Sequence, residues 1–194
     1  MILRNLKTAT QSQHDALEQD LDLSDRRLTR EEYRVLLQMF YGFYQPLEDA
    51  LAQSEPRLLS AVEFASRRKT PLLQADLRAL GESSAEMAAL PRCVALPGIC
   101  GLGGALGCLY VLEGATLGGQ ALLKQWRAQG SVPITCAFFN SYGAEVGVFW
   151  KTFRQTLVDL VQTPADEDAA IEAARQTFAC LHRWVSDTSK GQWA

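Results

Sequence analysis

Residues Gly98 to Gln120 read GICGLGGALGCLYVLEGATLGGQ, a run in which eight of the chain's fourteen glycines fall within twenty-three residues. Leu, Ile, Ala, Val and one Tyr fill the gaps, and Glu113 is the only charge. The apolar content argues for a buried helix, yet each helix-interior glycine costs about 1 kcal/mol against alanine. At about 100° per residue, Gly103, Gly107, Gly114 and Gly118 share one face with Tyr110. A glycine face lets something approach the backbone closely. That partner is either another helix or a large flat ligand.

The flanking chain is helical in pattern almost throughout, and strand runs with hairpin signals are nearly absent. The first helix is expected from about Leu3 to Asp20. Thr29-Arg30-Glu31-Glu32 reads as a capping box opening a second helix. Its stripe is Tyr33, Leu37, Phe40, Tyr44, Leu47 and Leu51, and Pro46 predicts a kink or break near Tyr44. Gln53 to Pro56 reads as a stop. Shorter pieces follow: Leu58 to Phe64, the basic connector Ser66 to Thr70, Pro71 to Leu80 with Gly81 as C-cap, and a segment capped by Ser83 or Ser84. The glycine-rich helix is expected from Ile99 to Ala128. A segment from Asn140 or Ser141 to Val161 and a last helix from Thr163-Pro164 complete an all-α, single-domain chain spanning 1–194, with 186–194 as a frayed tail.

Composition narrows the classes. The 194 residues suit one domain, and 19 basic against 22 acidic residues leave a net charge of −3, so nothing suggests nucleic-acid binding. No apolar run is free of glycine and charge over a membrane-spanning length, which argues for no membrane role and a cytoplasmic protein. Cys93, Cys100, Cys108, Cys136 and Cys180 form no CxxC pair and are expected as reduced, mostly buried thiols.

Catalytic motifs are scarce: there is no P-loop, no GxSxG and no zinc or di-iron spacing. Of two histidines, His182 near the end of the last helix has a structural setting. His14 interrupts the stripe Leu3, Lys7, Thr10, His14, Leu17 and Leu21, one turn before Glu18. A single axial histidine opposite a backbone-lined wall makes a slot for a porphyrin. Lys7 then stands about 10 Å along the helix from His14, within reach of a propionate. Tyr44, Tyr110 and Tyr142 need hydroxyl partners if buried, and Lys151 and Arg154 are basic residues on an otherwise apolar helix.

These segments resemble those of haem oxygenases. LKTATQSQHDALE (Leu6 to Glu18) resembles the family's proximal-helix segment, FYGFYQPLEDAL (Phe40 to Leu51) its second-helix aromatic segment, and LYVLEGATLGGQ (Leu109 to Gln120) its distal helix in the bacterial subgroup. They occur in the family's order and spacing. The resemblance implies a multi-helix bundle with haem sandwiched between a proximal N-terminal helix and a glycine-rich distal helix. It implies His14 as the axial iron ligand, with Glu18 behind it, and Gly114, Gly118 and the adjoining Gly119 as the distal glycines. It also implies Lys7, Tyr110 and either Lys151 or Arg154 at the propionates, and Tyr44 as a distal tyrosine holding ordered water. Ala115 departs from the aspartate that many members carry just after the first distal glycine, so water there must be held by other polar groups.

The implied activity is cleavage of haem b to biliverdin, Fe²⁺ and CO. Haem is both substrate and oxygen-activating cofactor. O₂ enters on the glycine side and electrons come from a ferredoxin or flavin reductase. A biliverdin acceptor such as a bacterial phytochrome is a further expected partner. Two rival readings remain at this stage: a haem carrier or sensor that returns haem intact, and a helical interaction module whose glycines only pack.

Overall fold

The computed structural model describes residues 1–24, 26–54, 60–131, 133 and 135–189. Among them no strand occurs. The helices are α1 (Ile2–Leu21), α2 (Arg30–Ser54), α3 (Phe64–Arg67), α4 (Thr70–Ala79), α5 (Ser84–Ala89), α6 (Gly101–Ala128), α7 (Val146–Leu160) and α8 (Pro164–Ser189). The all-α expectation holds.

Local chemistry sets most boundaries. Thr29 and Glu32 exchange cap bonds at 3.2 and 2.7 Å ahead of α2, and Ser83 with Glu86 does the same ahead of α5. Gly81 and Gly130 adopt positive φ after α4 and α6, as C-terminal glycines do. The Asp166 N–H donates to the Thr163 hydroxyl at the start of α8. Two expectations fail. The segment from Asn140 or Ser141 is turn and 3₁₀ helix until Val146. Ser186 to Ser189 continues α8 rather than fraying, while 190–194 lies outside the described residues. The stop at Gln53 to Pro56 and the piece from Leu58 fall largely outside them too.

Pro46 does not break α2, which runs unbroken from Arg30 to Ser54. A proline leaves the carbonyl four residues earlier without its donor. That carbonyl belongs to Gly42, and it accepts from the Cys93 N–H at 2.9 Å. Glycine at 42 makes the approach feasible: a Cβ there would lie 2.7 Å from the Pro91 carbonyl oxygen and 2.6 Å from the Trp184 ring. A tertiary contact repairs what the local sequence disrupts.

The bundle is organised on α8. Both α6 and α1 pack along it, and α2 packs on α4. By length and composition alone α6 could cross a membrane despite its glycines and charges, but its upstream residues Gly103 to Leu109 are buried in the bundle. A Cβ at Gly103 would lie 3.0 Å from the Asp166 Cα, and one at Gly107 would lie 2.9 Å from the Ala170 Cα. These two glycines therefore let α6 and α8 meet backbone to backbone. Downstream, α1 and α6 make little contact with each other although both rest on α8. The gap between them is a cavity.

Candidate functional site

The gap is a cavity of about 900 Å³, at the upper end of the usual range for ligand pockets. One wall is the α1 stripe named above, Leu3, Lys7, Thr10, His14, Leu17 and Leu21, together with Glu18. The other is the downstream half of α6, from Tyr110 through Gly114 and Gly118 to Gln125. The two helices run side by side in the same direction. Tyr110 lies beside Thr10 at one end, and at the other Gln125 Nε2 donates to the Ser24 carbonyl at 2.7 Å and Trp126 Nε1 to the Leu23 carbonyl at 3.2 Å. From Tyr110 to Gln125 is about 22 Å of helix.

His14 stands on the cavity side of α1 with its side chain 46% exposed. Its ring meets Phe178 edge-on, centroids 5.9 Å apart. Nδ1 faces two carboxylates, Asp15 at 3.5 Å and Glu18 at 3.6 Å. The sequence pointed to Glu18 alone, so Asp15 is an equal partner that it missed. Both distances are ion-pair rather than hydrogen-bond contacts. They favour the proton on Nδ1 and leave Nε2 as the nitrogen available to a metal. His182 is elsewhere, bound to Asp20 at 2.7 Å.

Opposite His14 the backbone is bare. A Cβ at Gly118 would meet nothing within 4 Å, and one at Gly114 would meet only the Trp150 ring at 3.9 Å. Gly119 borders the cavity as well, but the space its Cβ would take belongs largely to the Phe139 carbonyl oxygen, 3.1 Å away. It serves the connector before α7.

The polar end collects Lys7, Tyr110 and Arg154. Arg154 acts electrostatically on Tyr110, whose phenol is raised mainly by burial. Lys151, on the same helix, is exposed and is not among the lining residues. The arrangement thus brings Arg154 to the cavity and leaves Lys151 out. At the far end Phe40, Tyr44, Phe138 and Phe139 form an aromatic floor, with Phe138 5.2 Å from both Phe40 and Tyr44. Burial raises the Tyr44 phenol well above its ordinary value, with Glu48 and Glu113 adding to the effect, so it is a neutral donor at any working pH.

Beside Gly114, around Glu113, lies a buried polar cluster. Two members of the basic connector, Arg67 and Lys69, are buried in it. Arg67 Nη1 donates to Glu113 at 2.5 Å, and Lys69 Nζ donates to Glu113 at 2.9 Å and to the Tyr142 hydroxyl at 2.7 Å. Tyr142 donates to Glu113 at 2.7 Å and stacks on Phe149 with centroids 4.0 Å apart, so its hydroxyl is spent inside the cluster. Burial pushes the Lys69 ammonium down, and Glu113 pulls it back. A signal was available: Glu113 is the only charge between Gly98 and Gln120, and a buried carboxylate requires partners.

The donor set fits haem. One imidazole faces a wall without side chains, a rim of cations and a phenol suits two propionates, and the floor is apolar. A cradle that added Cβ atoms would fill is what a flat macrocycle requires.

Comparison with known proteins agrees. The Heme oxygenase family model matches residues 1–187. A heme oxygenase of Xanthomonas campestris pv. campestris is 28% identical over 156 residues, 80% of this chain and 85% of the relative. The fold is similar to heme oxygenase from Neisseria meningitidis in its NO- and CO-bound forms, with TM-score 0.78 at 22% identity over 97% of this chain and 92% of that one. It is also similar to heme oxygenase-1 from the cyanobacterium Synechocystis in complex with heme, with TM-score 0.76 at 19% identity over 98% and 93%. The chain belongs to the haem oxygenase family.

Proposed function

We propose that this haem oxygenase binds haem b between α1 and α6 with His14 as iron ligand, and cleaves it with O₂ and external electrons to biliverdin, Fe²⁺ and CO. The observation that carries the reading is the pairing of His14 with the bare backbone at Gly114 and Gly118 across one cavity. When bound, haem supplies the iron at which oxygen is activated and is itself the molecule consumed.

Each wall has its own task. The carboxylates of Asp15 and Glu18 keep the His14 proton on Nδ1 and make the ring a firmer ligand through Nε2. Gly114 and Gly118 leave space for O₂ and keep bulky bases away from it. Ala115 offers no carboxylate, so ordered water on this side is held by backbone groups and the neutral Tyr44 hydroxyl. Lys7, Tyr110 and Arg154 clamp the propionates and so fix which edge of the ring faces the oxygen. Trp150 and the phenylalanines exclude bulk water from the apolar part.

Reducing equivalents come from a ferredoxin or a flavin reductase, because no flavin or iron–sulfur motif is present in the sequence. A bacterial phytochrome as biliverdin acceptor and a cytoplasmic setting belong to the same proposal. The decisive experiment is turnover of the hemin complex under reductant and O₂. The Soret band gives way to biliverdin absorbance if the reading is right. A carrier or sensor returns the haem intact, and that result rejects it.

A further inference from the structure

A disc pinned at its centre by His14 and at one edge by the propionate rim can still turn in its own plane. How far it turns is set by the wall at the opposite edge. That wall is the aromatic floor, to which α2 gives Phe40 and Tyr44 and the connector between α6 and α7 gives Phe138 and Phe139. Two phenylalanines on a turn would be loose unless something outside the cavity held them.

Asp76 on α4 does so. Its side chain is fully buried, and among the described residues the bonds its carboxylate accepts come from the connector. Oδ1 takes the Thr135 hydroxyl and the Ala137 N–H at 2.8 Å, and Oδ2 takes the Phe138 N–H at 2.9 Å. A buried carboxylate with three short-range donors is a strong tether, since charge-assisted bonds are about twice as strong as neutral ones. From the other side, the missing Cβ of Gly119 lets the Phe139 carbonyl settle against α6. The connector is therefore fixed at two points, and the Phe138 ring is delivered against Phe40 and Tyr44.

We propose that Asp76 is a positioning residue for the haem-cleaving reaction: by tethering Phe138 and its neighbours it sets the in-plane seating of the macrocycle, and with it which meso carbon is attacked. This rests on the reading under Proposed function. Asp76 touches no substrate, and its effect passes through the connector. Asparagine in its place keeps one acceptor atom and turns an amide N–H₂ toward the Phe138 N–H, donor against donor. The connector loses its tether at Phe138 and keeps it at Ala137.

The test uses the full chain reconstituted with hemin, in wild type, Asp76→Asn and Thr135→Val. Thr135→Val removes one bond and leaves the carboxylate and both backbone donors intact, so it stays informative if Asp76→Asn does not fold. Stoichiometric hemin binding comes first. If wild type takes up no hemin at 1:1, the functional reading fails and this proposal falls with it. With hemin bound, the hyperfine-shifted haem methyl resonances of the cyanide-inhibited ferric complexes read in-plane orientation without turnover. Asp76→Asn is expected to move the spread of these resonances or add a second set above a tenth of the intensity, with at least a twofold change in the biliverdin isomer ratio. Thr135→Val is expected to shift the same resonances in the same direction by less. Hemin bound at 1:1 with the wild-type methyl pattern and isomer ratio in every variant that folds overturns the proposal.

Discussion

The two halves of α6 carry the same residue on the same face and use it oppositely. Upstream, the space a side chain would take at Gly103 and Gly107 is already filled by the backbone of α8. Downstream, the space at Gly118 is empty and that at Gly114 reaches only the edge of Trp150. The cause is the course of the neighbours. α8 runs against the upstream half, and α1, resting on α8 as well, stands off from the downstream half to leave the cavity. A glycine stripe thus has no single meaning. It is a close helix contact where a second backbone lies across it and a ligand wall where none does.

The contrast breaks most readily at Gly107. Alanine there drives a methyl into the Ala170 backbone, which has no flexible end to yield. Overpacking of this kind costs about 1–3 kcal/mol or somewhat more. For a chain of this size that is a fall of about 2–12 °C in Tm, read by thermal unfolding of the apo protein. Gly118→Leu is the converse. Its Tm should stay within about 2 °C of wild type, while hemin affinity falls at least tenfold, about 1.4 kcal/mol, in a Soret titration. If Gly118→Leu unfolds the chain and Gly107→Ala does not, the division of α6 is wrong. A smaller effect sharpens the polar end. Arg154→Ala should weaken hemin binding about two- to fivefold, in line with an exposed charge worth up to about 1 kcal/mol, and Lys151→Ala should leave it unchanged.

How much of this was legible in the sequence depends on the range of the contact. The α1 stripe from Leu3 to Leu21 reads correctly because a helix carries its own periodicity, and every member of it lines the cavity. The caps at Thr29 and Ser83 are equally local. The glycine face was visible, and the resemblance assigned its downstream glycines to the ligand wall; what the upstream ones meet was not, since it is set by residues near 166–170 rather than by α6 itself. Pro46 misled for the same reason: its lost bond is replaced by Cys93, 47 residues on. Asp76 lies between unremarkable neighbours, and nothing in the sequence ties it to Phe138. Arg67, Lys69 and Glu113 occupy the middle ground. Their pairing was hidden, but a lone buried glutamate implies basic partners, and the 66–70 segment held candidates.

The account rests on His14 facing the open glycines across a haem-sized gap. The direct measurement is the hemin complex of His14→Ala beside wild type, with and without added imidazole. Because the His14 side chain is 46% exposed and no bond of the core depends on it, the variant should fold normally. The account predicts a 1:1 wild-type complex with a histidine-ligated ferric spectrum, lost in His14→Ala and restored by imidazole. A His14→Ala complex with the wild-type spectrum and affinity would contradict it.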